Sequence, residues 1–337
     1  MRKILSLLAI CSFVLLLPAC ESSQKKSVAE VEAPGAAVKV PAFNASNAYT
    51  YIEQQVAFGP RIPNTEPHQL TKTYLMEELE KAGAKVVTQE FTANTYDNEQ
   101  WELTNIIGSI LPEKKKRILL AAHWDSRKVA DKDSERQNEP IDGANDGASG
   151  VGVIIEILNA ISTSSLKPDV GVDVIFFDGE DNGEPNGQAS VPTATTDGSW
   201  WCLGSQYWSK NKHEVNYSAY YGILFDMVGA ANATFYMEGF SSQYAPSIVS
   251  KVWNTSEEIG FGNYFVSEEV PPITDDHYYV NKYAKIPMID IIAYDPLSGQ
   301  FFPDYHHTHN DNMDIISQET LKAVGQTVLR VIYKEKP

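Results

Sequence analysis

Val172-Asp173-Val174-Ile175-Phe176-Phe177-Asp178-Gly179-Glu180-Asp181 is the stretch on which the reading of the fold turns. Its apolar run reads as a buried strand. The run stops at Asp178-Gly179 and delivers two adjacent carboxylates, Glu180 and Asp181. Two neighbouring acids at a strand end can divide the work, one binding a metal and the other moving protons. Taken alone, the pair reads equally well as an ordinary acidic turn.

The flanking segments supply the rest of a sheet. Strand-like runs are expected at 85–91, 104–111 and 117–123, and again at 220–228 and 286–292. The run at 117–123, Arg-Ile-Leu-Leu-Ala-Ala-His, is apolar enough for a central strand. Helices are expected at 46–56, 148–161, 204–212, 244–259 and 315–333. Another is marked by the spacing of Leu70, Tyr74, Leu75 and Leu79, with Gly83 as its stop. Residues 58–63 and 182–199 are rich in Gly and Pro and read as loops. Strands separated by helices predict an α/β fold: three α/β/α layers around a mixed, mostly parallel sheet with one antiparallel edge. No Pro/Gly/Ser linker splits residues 44–337, so they are expected to form a single catalytic domain.

The 337 residues carry 43% hydrophobic side chains, enough for a substantial core. The N-terminus stands apart from it. A basic Met1-Arg2-Lys3, an apolar run over 4–17 and the tetrapeptide Leu17-Pro18-Ala19-Cys20 resemble bacterial lipoprotein signals. That resemblance implies a signal peptide at 1–19, lipidation of Cys20 and a flexible tether over 20–43. It also implies export and attachment to a cell-envelope membrane, facing the periplasm. A plain cleaved signal is the alternative; a retained membrane helix is disfavoured by the short apolar run. Cys11 leaves with the signal and Cys20 carries lipid. Cys202 is then alone, with no intrachain disulfide, and reads as a packed thiol. The net charge of −17 repels nucleic acid and excludes it as a partner.

Five clusters punctuate the chain: His123-Trp124-Asp125-Ser126, Gly143 to Gly150, Glu180-Asp181, Asp226, and His307 within Tyr305-His306-His307-Thr308-His309-Asn310-Asp311-Asn312. Each has a plainer reading: a strand-end histidine, a helix cap at Asp146, a polar histidine loop. Asp226, interrupting an apolar strand, needs a partner for its charge. Side chains from the ends of different strands converge on one edge of a parallel sheet. Asp146, Asp181 and His307 would offer zinc three nitrogen and oxygen donors and leave one position open. Glu180 would remain free as acid or base.

In order and spacing these motifs, together with Thr274-Asp275-Asp276-His277 and Phe58-Gly59-Pro60-Arg61, resemble the zinc-dependent aminopeptidase superfamily, and within it the glutaminyl-peptide cyclotransferases. The resemblance implies one Zn2+ on Asp146, Asp181 and His307, with Glu180 as general acid/base. It implies that Asp226 and Asp275 form a supporting hydrogen-bonded pair, and that His123 sits where two-zinc aminopeptidases bind a second metal. The implied substrates are peptide or protein N-termini beginning with glutamine, cyclised to pyroglutamate with loss of ammonia. The chain departs from the animal enzymes in two places. Asp181 stands for their glutamate, and His306 for the tryptophan before the ligand histidine. Trp200 or Trp201 is expected to supply the aromatic wall instead. A two-zinc aminopeptidase, with Glu180 activating water, and a non-enzymatic surface binding module are the competing readings.

Overall fold

The computed structural model of the chain describes residues 38–185, 199–298 and 302–337. The expected signal at 1–19, Cys20 and the tether up to residue 37 lie outside the described residues, as does most of the 182–199 loop. The first elements are α1 (Ala45–Ala57), α2 (Glu66–Lys81), β1 (Lys85–Asn94), β2 (Gln100–Ile110) and β3 (Arg117–His123). There follow α3 (Ala148–Thr163), β4 (Gly171–Phe177), α4 (Leu203–Lys210), β5 (Tyr221–Asp226), β6 (Phe235–Met237) and α5 (Gly239–Tyr244). The chain closes with α6 (Pro246–Glu258), β7 (Phe265–Glu269), α7 (Asp276–Tyr279), β8 (Met288–Ile292) and α8 (Gln318–Lys334). No described helix is long and apolar enough to cross a membrane.

The main sheet runs β1-β2-β4-β3-β5-β8. β1 and β2 pair antiparallel, β2 meets β4 antiparallel, and β4, β3, β5 and β8 are parallel. The mixed sheet with an antiparallel edge is therefore as expected. Strand alternation builds the layers. Ile118, Leu120 and Ala122 of β3, with Val172, Val174 and Phe176 of β4, join a core that includes α1, α3, α6 and α8. Leu119, Ala121, Ile175 and Phe177 point the other way, toward Trp208 of α4 and the turn after α7. Both faces are covered, which is why these strands read as continuous apolar runs.

Asp173 is the exception within the run. Arg117 Nε and Nη2 each donate to its carboxylate at 2.6 Å, and Tyr217 Oη donates at 3.0 Å. The buried charge is tolerated because it is paired and hydrogen-bonded.

Some boundaries differ from the sequence reading, each for a local reason. The helix expected at 244–259 starts at Pro246, where proline needs no N–H partner, and a separate short helix, α5, precedes it and ends at Tyr244. The last helix begins at Gln318 because Ser317 caps it, while Met313–Ile315 is a separate 3-10 turn. The β6–β7 parallel pair is too short to show a period and was not foreseen. The α7 helix passes into a π-helical turn at Val280–Ala284.

Glu238 ties this peripheral region to the sheet edge. Its carboxylate accepts the N–H groups of Phe240 and Ser241 at the start of α5, and that of Ile273. His277 Nε2 lies 2.9 Å from it. Burial alone would raise this carboxyl; the hydrogen bond and charge of His277 and the backbone donors outweigh burial and hold it at about 2. A folded value below the ordinary 4.5 means that the contribution is complete above pH 4.5 and is lost as pH falls toward 2. The loss is roughly 3 kcal/mol. Urea unfolding of wild type and Glu238→Gln across pH 6 to 2.5 is expected to show a smaller acid loss in the variant.

Candidate active site

The parallel strands β4, β3, β5 and β8 end at one edge, and the loops leaving them converge there. His123 is the last residue of β3 and Asp226 the last of β5. Glu180 and Asp181 follow β4 through Gly179, whose φ of 70° suits glycine. Asp146 comes from the connection between β3 and α3, and His307 from that between β8 and α8. Cys202, Met227 and His307 adopt left-handed backbone near this edge, at φ of 58°, 49° and 58°. Such conformations cost energy in non-glycine residues and tend to cluster at functional sites.

Two buried carboxylates and one guanidinium hold the loops by their backbones. Asp125 accepts the N–H of Glu180 at 3.0 Å and that of Asp181 at 3.2 Å. Asp311 accepts the N–H of Asn145 at 2.7 Å and that of Asp146 at 3.0 Å. Arg61, fully buried, donates to the carbonyls of Trp124 (2.9 Å), Asp142 (2.6 Å) and Gly143 (2.7 Å). This explains the Phe58-Gly59-Pro60-Arg61 motif: it delivers a cation that ties the His123 strand end to the Asp146 turn. The cap expected of Asp146 is absent, since Gly147 precedes α3 without a side-chain cap. A Cβ at Gly147 would lie 2.6 Å from the Asp125 carbonyl oxygen, so the close approach requires glycine.

His307 Nε2 lies 2.9 Å from Asp181 Oδ1 and 3.8 Å from Asp146 Oδ2. Zinc bonds of about 2.0–2.1 Å in a tetrahedron place neighbouring donors roughly 3.3 Å apart. The two carboxylate distances from His307 bracket that spacing, and Asp181 Oδ2 is buried without a hydrogen bond. His306 Nε2 lies 3.7 Å from the same Asp146 Oδ2, so Asp146, His306 and His307 offer donors within 4.8 Å of one another, and the nitrogen and oxygen donors gathered here suit zinc. His307 Nδ1 faces Asp131 Oδ1 at 3.3 Å, the carboxylate–imidazole contact that orients a metal-binding histidine. Asp131 in turn accepts from Arg127 Nε at 2.7 Å. A second group lies alongside: His123 Nε2 is 3.0 Å from Asp146 Oδ1 and 3.3 Å from Asp226 Oδ1.

The charge density shifts every group. Burial raises Glu180 well above the carboxylate range; His123 opposes this, while Asp275, Asp181 and Asp276 add to it. Asp226 is pushed up to about 7, chiefly by burial. Burial works against charge on His123, but its contacts to Asp125, Asp146 and Asp226 outweigh it and raise this imidazole.

Glu180 and Asp226 line a cavity of about 260 Å3, and His123 does not. The lining is acidic at Asp131, Asp146, Glu180, Asp181, Asp226 and Asp275 and apolar at Trp201, Ile273, Ile292 and Phe302; Lys132, Thr274, His306 and His307 complete it. Trp201 is therefore the wall residue. Trp200 is buried and does not line the cavity. The Trp201 ring lies parallel to His307 at 5.9 Å and over the Arg127 guanidinium at 4.6 Å. His306 lines the cavity and stacks between His307 and Phe302, at 3.7 and 4.3 Å.

Asp226 Oδ1 lies 3.3 Å from His123 Nε2. Asp275 is grouped with His277 and Asp290 of β8, and its charge also raises Asp226. Five residues went unforeseen in their roles: Asp125, Asp131, Asp311, Phe302 and Asp290. Asp125 and Asp311 lay within the quoted motifs and could have been found there. Asp131 lies in a polar loop with no local signal.

A mixed α/β sheet with a zinc-compatible donor set and a spare glutamate at its parallel edge defines the class of a zinc-dependent exopeptidase-like domain. Residues 105–332 match peptidase family M28, and the chain belongs to that family. It is similar to the glutaminyl cyclase of Tannerella forsythia, at 50% identity and a TM-score of 0.83 over 88% of this chain and 100% of that one. A Zn-dependent exopeptidase from Parabacteroides distasonis is 49% identical, with a TM-score of 0.84 over 88% and 100%. The glutaminyl-peptide cyclotransferase of Dictyostelium discoideum is 22% identical over 79% of this chain and 78% of its own length.

Asp131→Asn is expected to weaken zinc binding by about 10- to 100-fold, read by competition with a chromogenic chelator.

Proposed function

We propose that this chain cyclises N-terminal glutamine of peptides or proteins to pyroglutamate, releasing ammonia. The observation that carries the reading is a cavity lined by both carboxylates and apolar side chains. Its volume suits one residue, its carboxylates attract an α-ammonium, and its apolar residues pack the aliphatic part of a glutamine side chain. The 50% identity to a glutaminyl cyclase supports the choice of reaction.

Asp146, Asp181 and His307 would hold one zinc ion. When bound, zinc supplies a Lewis acid for the side-chain amide carbonyl. The substrate ammonium first gives one proton to solvent. As the neutral nitrogen attacks Cδ, Glu180 takes the second proton that this nitrogen sheds. The new N–Cδ bond replaces the Cδ–Nε bond, and Glu180 passes that proton to the departing nitrogen, which leaves as ammonia. The raised affinity of Glu180 for a proton suits a group that must both accept and give one. Asp226 and His123 counterbalance charge beside it, and Asp275 limits where the Glu180 carboxylate can lie. Trp201 and His306 bound the substrate side chain.

The His123, Asp146 and Asp226 triangle favours a second reading, a two-zinc aminopeptidase. Zinc content per chain, with ammonia release from Gln-initiated peptides measured against amine release from aminoacyl chromogenic substrates, separates the two. One zinc with ammonia release is expected; two zincs with aminopeptidase turnover and no ammonia would overturn the cyclase. Glu180→Gln is expected to keep zinc and lose roughly 100- to 10,000-fold in kcat.

We also infer that the domain is exported and held on a cell-envelope membrane by lipid on Cys20, with 1–19 removed. The support is the lipobox-like Leu17-Pro18-Ala19-Cys20. The expected tether over 20–43 is shorter at its C-terminal end: Phe43 is buried in the core, and Gln326 and Arg330 donate to the carbonyls of Pro41 and Val38, so the catalytic domain starts at Val38 and not at 44. Cys20→Ser is expected to move the protein from the detergent phase to the aqueous phase in Triton X-114 partitioning.

A further inference from the structure

Cys202 is a buried thiol that the reaction just described does not use. Its side chain has no solvent exposure, and Sγ lies 3.1 Å from Glu180 Oε1. The hydrogen bond runs from thiol to carboxylate, because burial and the surrounding acids keep the thiol protonated. Oε2 of Glu180 makes no hydrogen bond among the described residues, and Glu180 lines the cavity.

The backbone at Cys202 is costly. Its φ of 58° and ψ of 37° are left-handed, a conformation that glycine adopts freely and a residue with a Cβ does not. Two hydrogen bonds, both donated by the turn, hold it there. Cys202 N–H donates to the Glu180 carbonyl at 3.0 Å, and Leu203 N–H donates to the Gly179 carbonyl at 3.0 Å. The start of α4 is pressed against the same strand end: a Cβ at Gly204 would lie 2.6 Å from the Asp178 carbonyl oxygen. The turn that carries the thiol is thus bolted to the backbone that carries the glutamate. A glycine would satisfy the turn. The side chain that stands there instead reaches one oxygen of the acid/base.

We propose that Cys202 is a positioning residue for Glu180: its thiol, on a left-handed turn clipped to Gly179 and Glu180, fixes one carboxylate oxygen and leaves the other for the substrate proton. The inference rests on the acid/base reading of Glu180 above. A thiol suits the task chemically. It is a weak neutral donor, so it orients the carboxylate without the charge pairing that lysine or arginine would bring. Its apolar bulk also keeps water from the back of the glutamate. The plainer alternative is a thiol that merely fills space, and the two differ in what they predict.

The test is steady-state ammonia release from a Gln-initiated peptide by Cys202→Ala, Cys202→Ser, Cys202→Gly, Glu180→Gln and the Cys202→Ala/Glu180→Gln double variant, with zinc content and thermal midpoint measured for each. Cys202→Ala is expected to lower kcat about 10-fold, the scale of one hydrogen bond to a charged group, with KM and zinc unchanged. Cys202→Ser, which restores a donor, is expected to recover most of that loss. Cys202→Gly relieves the left-handed turn, so it should unfold no earlier than Cys202→Ala and yet be as slow. The double variant should be no slower than Glu180→Gln, because the thiol acts through the glutamate. Wild-type kcat in Cys202→Ala or Cys202→Gly, alongside a slow Glu180→Gln, would overturn this inference and leave the acid/base reading standing. So would a loss confined to KM or zinc, or one that serine does not recover. A fully active Glu180→Gln would overturn the acid/base reading itself, and this inference with it.

Discussion

Asp146, Glu180, Asp181, Asp226 and Asp275 share one cavity at the edge of an apolar core, and their mutual repulsion is the constraint on which the rest of the structure depends. Carboxylates so close cannot all ionise in a low-dielectric setting. The chain answers in two ways. His123 and His307 sit among the acids as countercharges, at 2.9 to 3.3 Å from the nearest oxygens. Burial and the neighbouring acids still push Asp226 up to about 7, against the pull of His123. A divalent cation on Asp146, Asp181 and His307 would relieve the same repulsion, so the crowding of acids would favour metal there.

The second requirement is that acids held under such repulsion should not drift apart. The structure fixes the backbones of the loops that carry them. Asp125 grips the Glu180-Asp181 turn, Asp311 grips Asn145-Asp146, and Arg61 ties the Trp124 carbonyl to those of Asp142 and Gly143. These three residues touch no substrate in the proposed reaction, yet they set the distances among those that do. Their burial makes each contact stronger than it would be at the surface, and makes the loss of any one correspondingly severe.

The aromatic side of the cavity is coupled to the donor set. Trp201 stacks parallel to His307 and over Arg127, which bonds both Asp131 and the Asp181 carbonyl. A shift of the wall is thereby felt at two donors. The side of the site that selects the substrate and the side that reacts share one set of supports, which suits a reaction whose nucleophile and leaving group belong to the same residue.

The sequence by itself determined the layers and most of the site. Continuous apolar runs such as 172–177 announce strands covered on both faces, because nothing else tolerates so little polarity. Asp226 at the end of such a run announces a charge that must be compensated. The roles of Glu180, Asp181, Asp146 and His307 came from strand-end positions joined to a family resemblance, and the tertiary structure brings all four to one cavity. The pairings needed the folded chain. That Asp226 at the end of β5 meets His123, and that Trp201 rather than Trp200 lines the cavity, depends on where distant strand ends and loops come together, which no periodic signal carries. The reach of Asp131 to His307 spans a sequence separation that no local pattern encodes. Short strands such as β6 and β7 lack the length to show a period at all. Periodicity reports what is covered; the partners across a sheet edge are fixed by distances that exist only once the chain has folded.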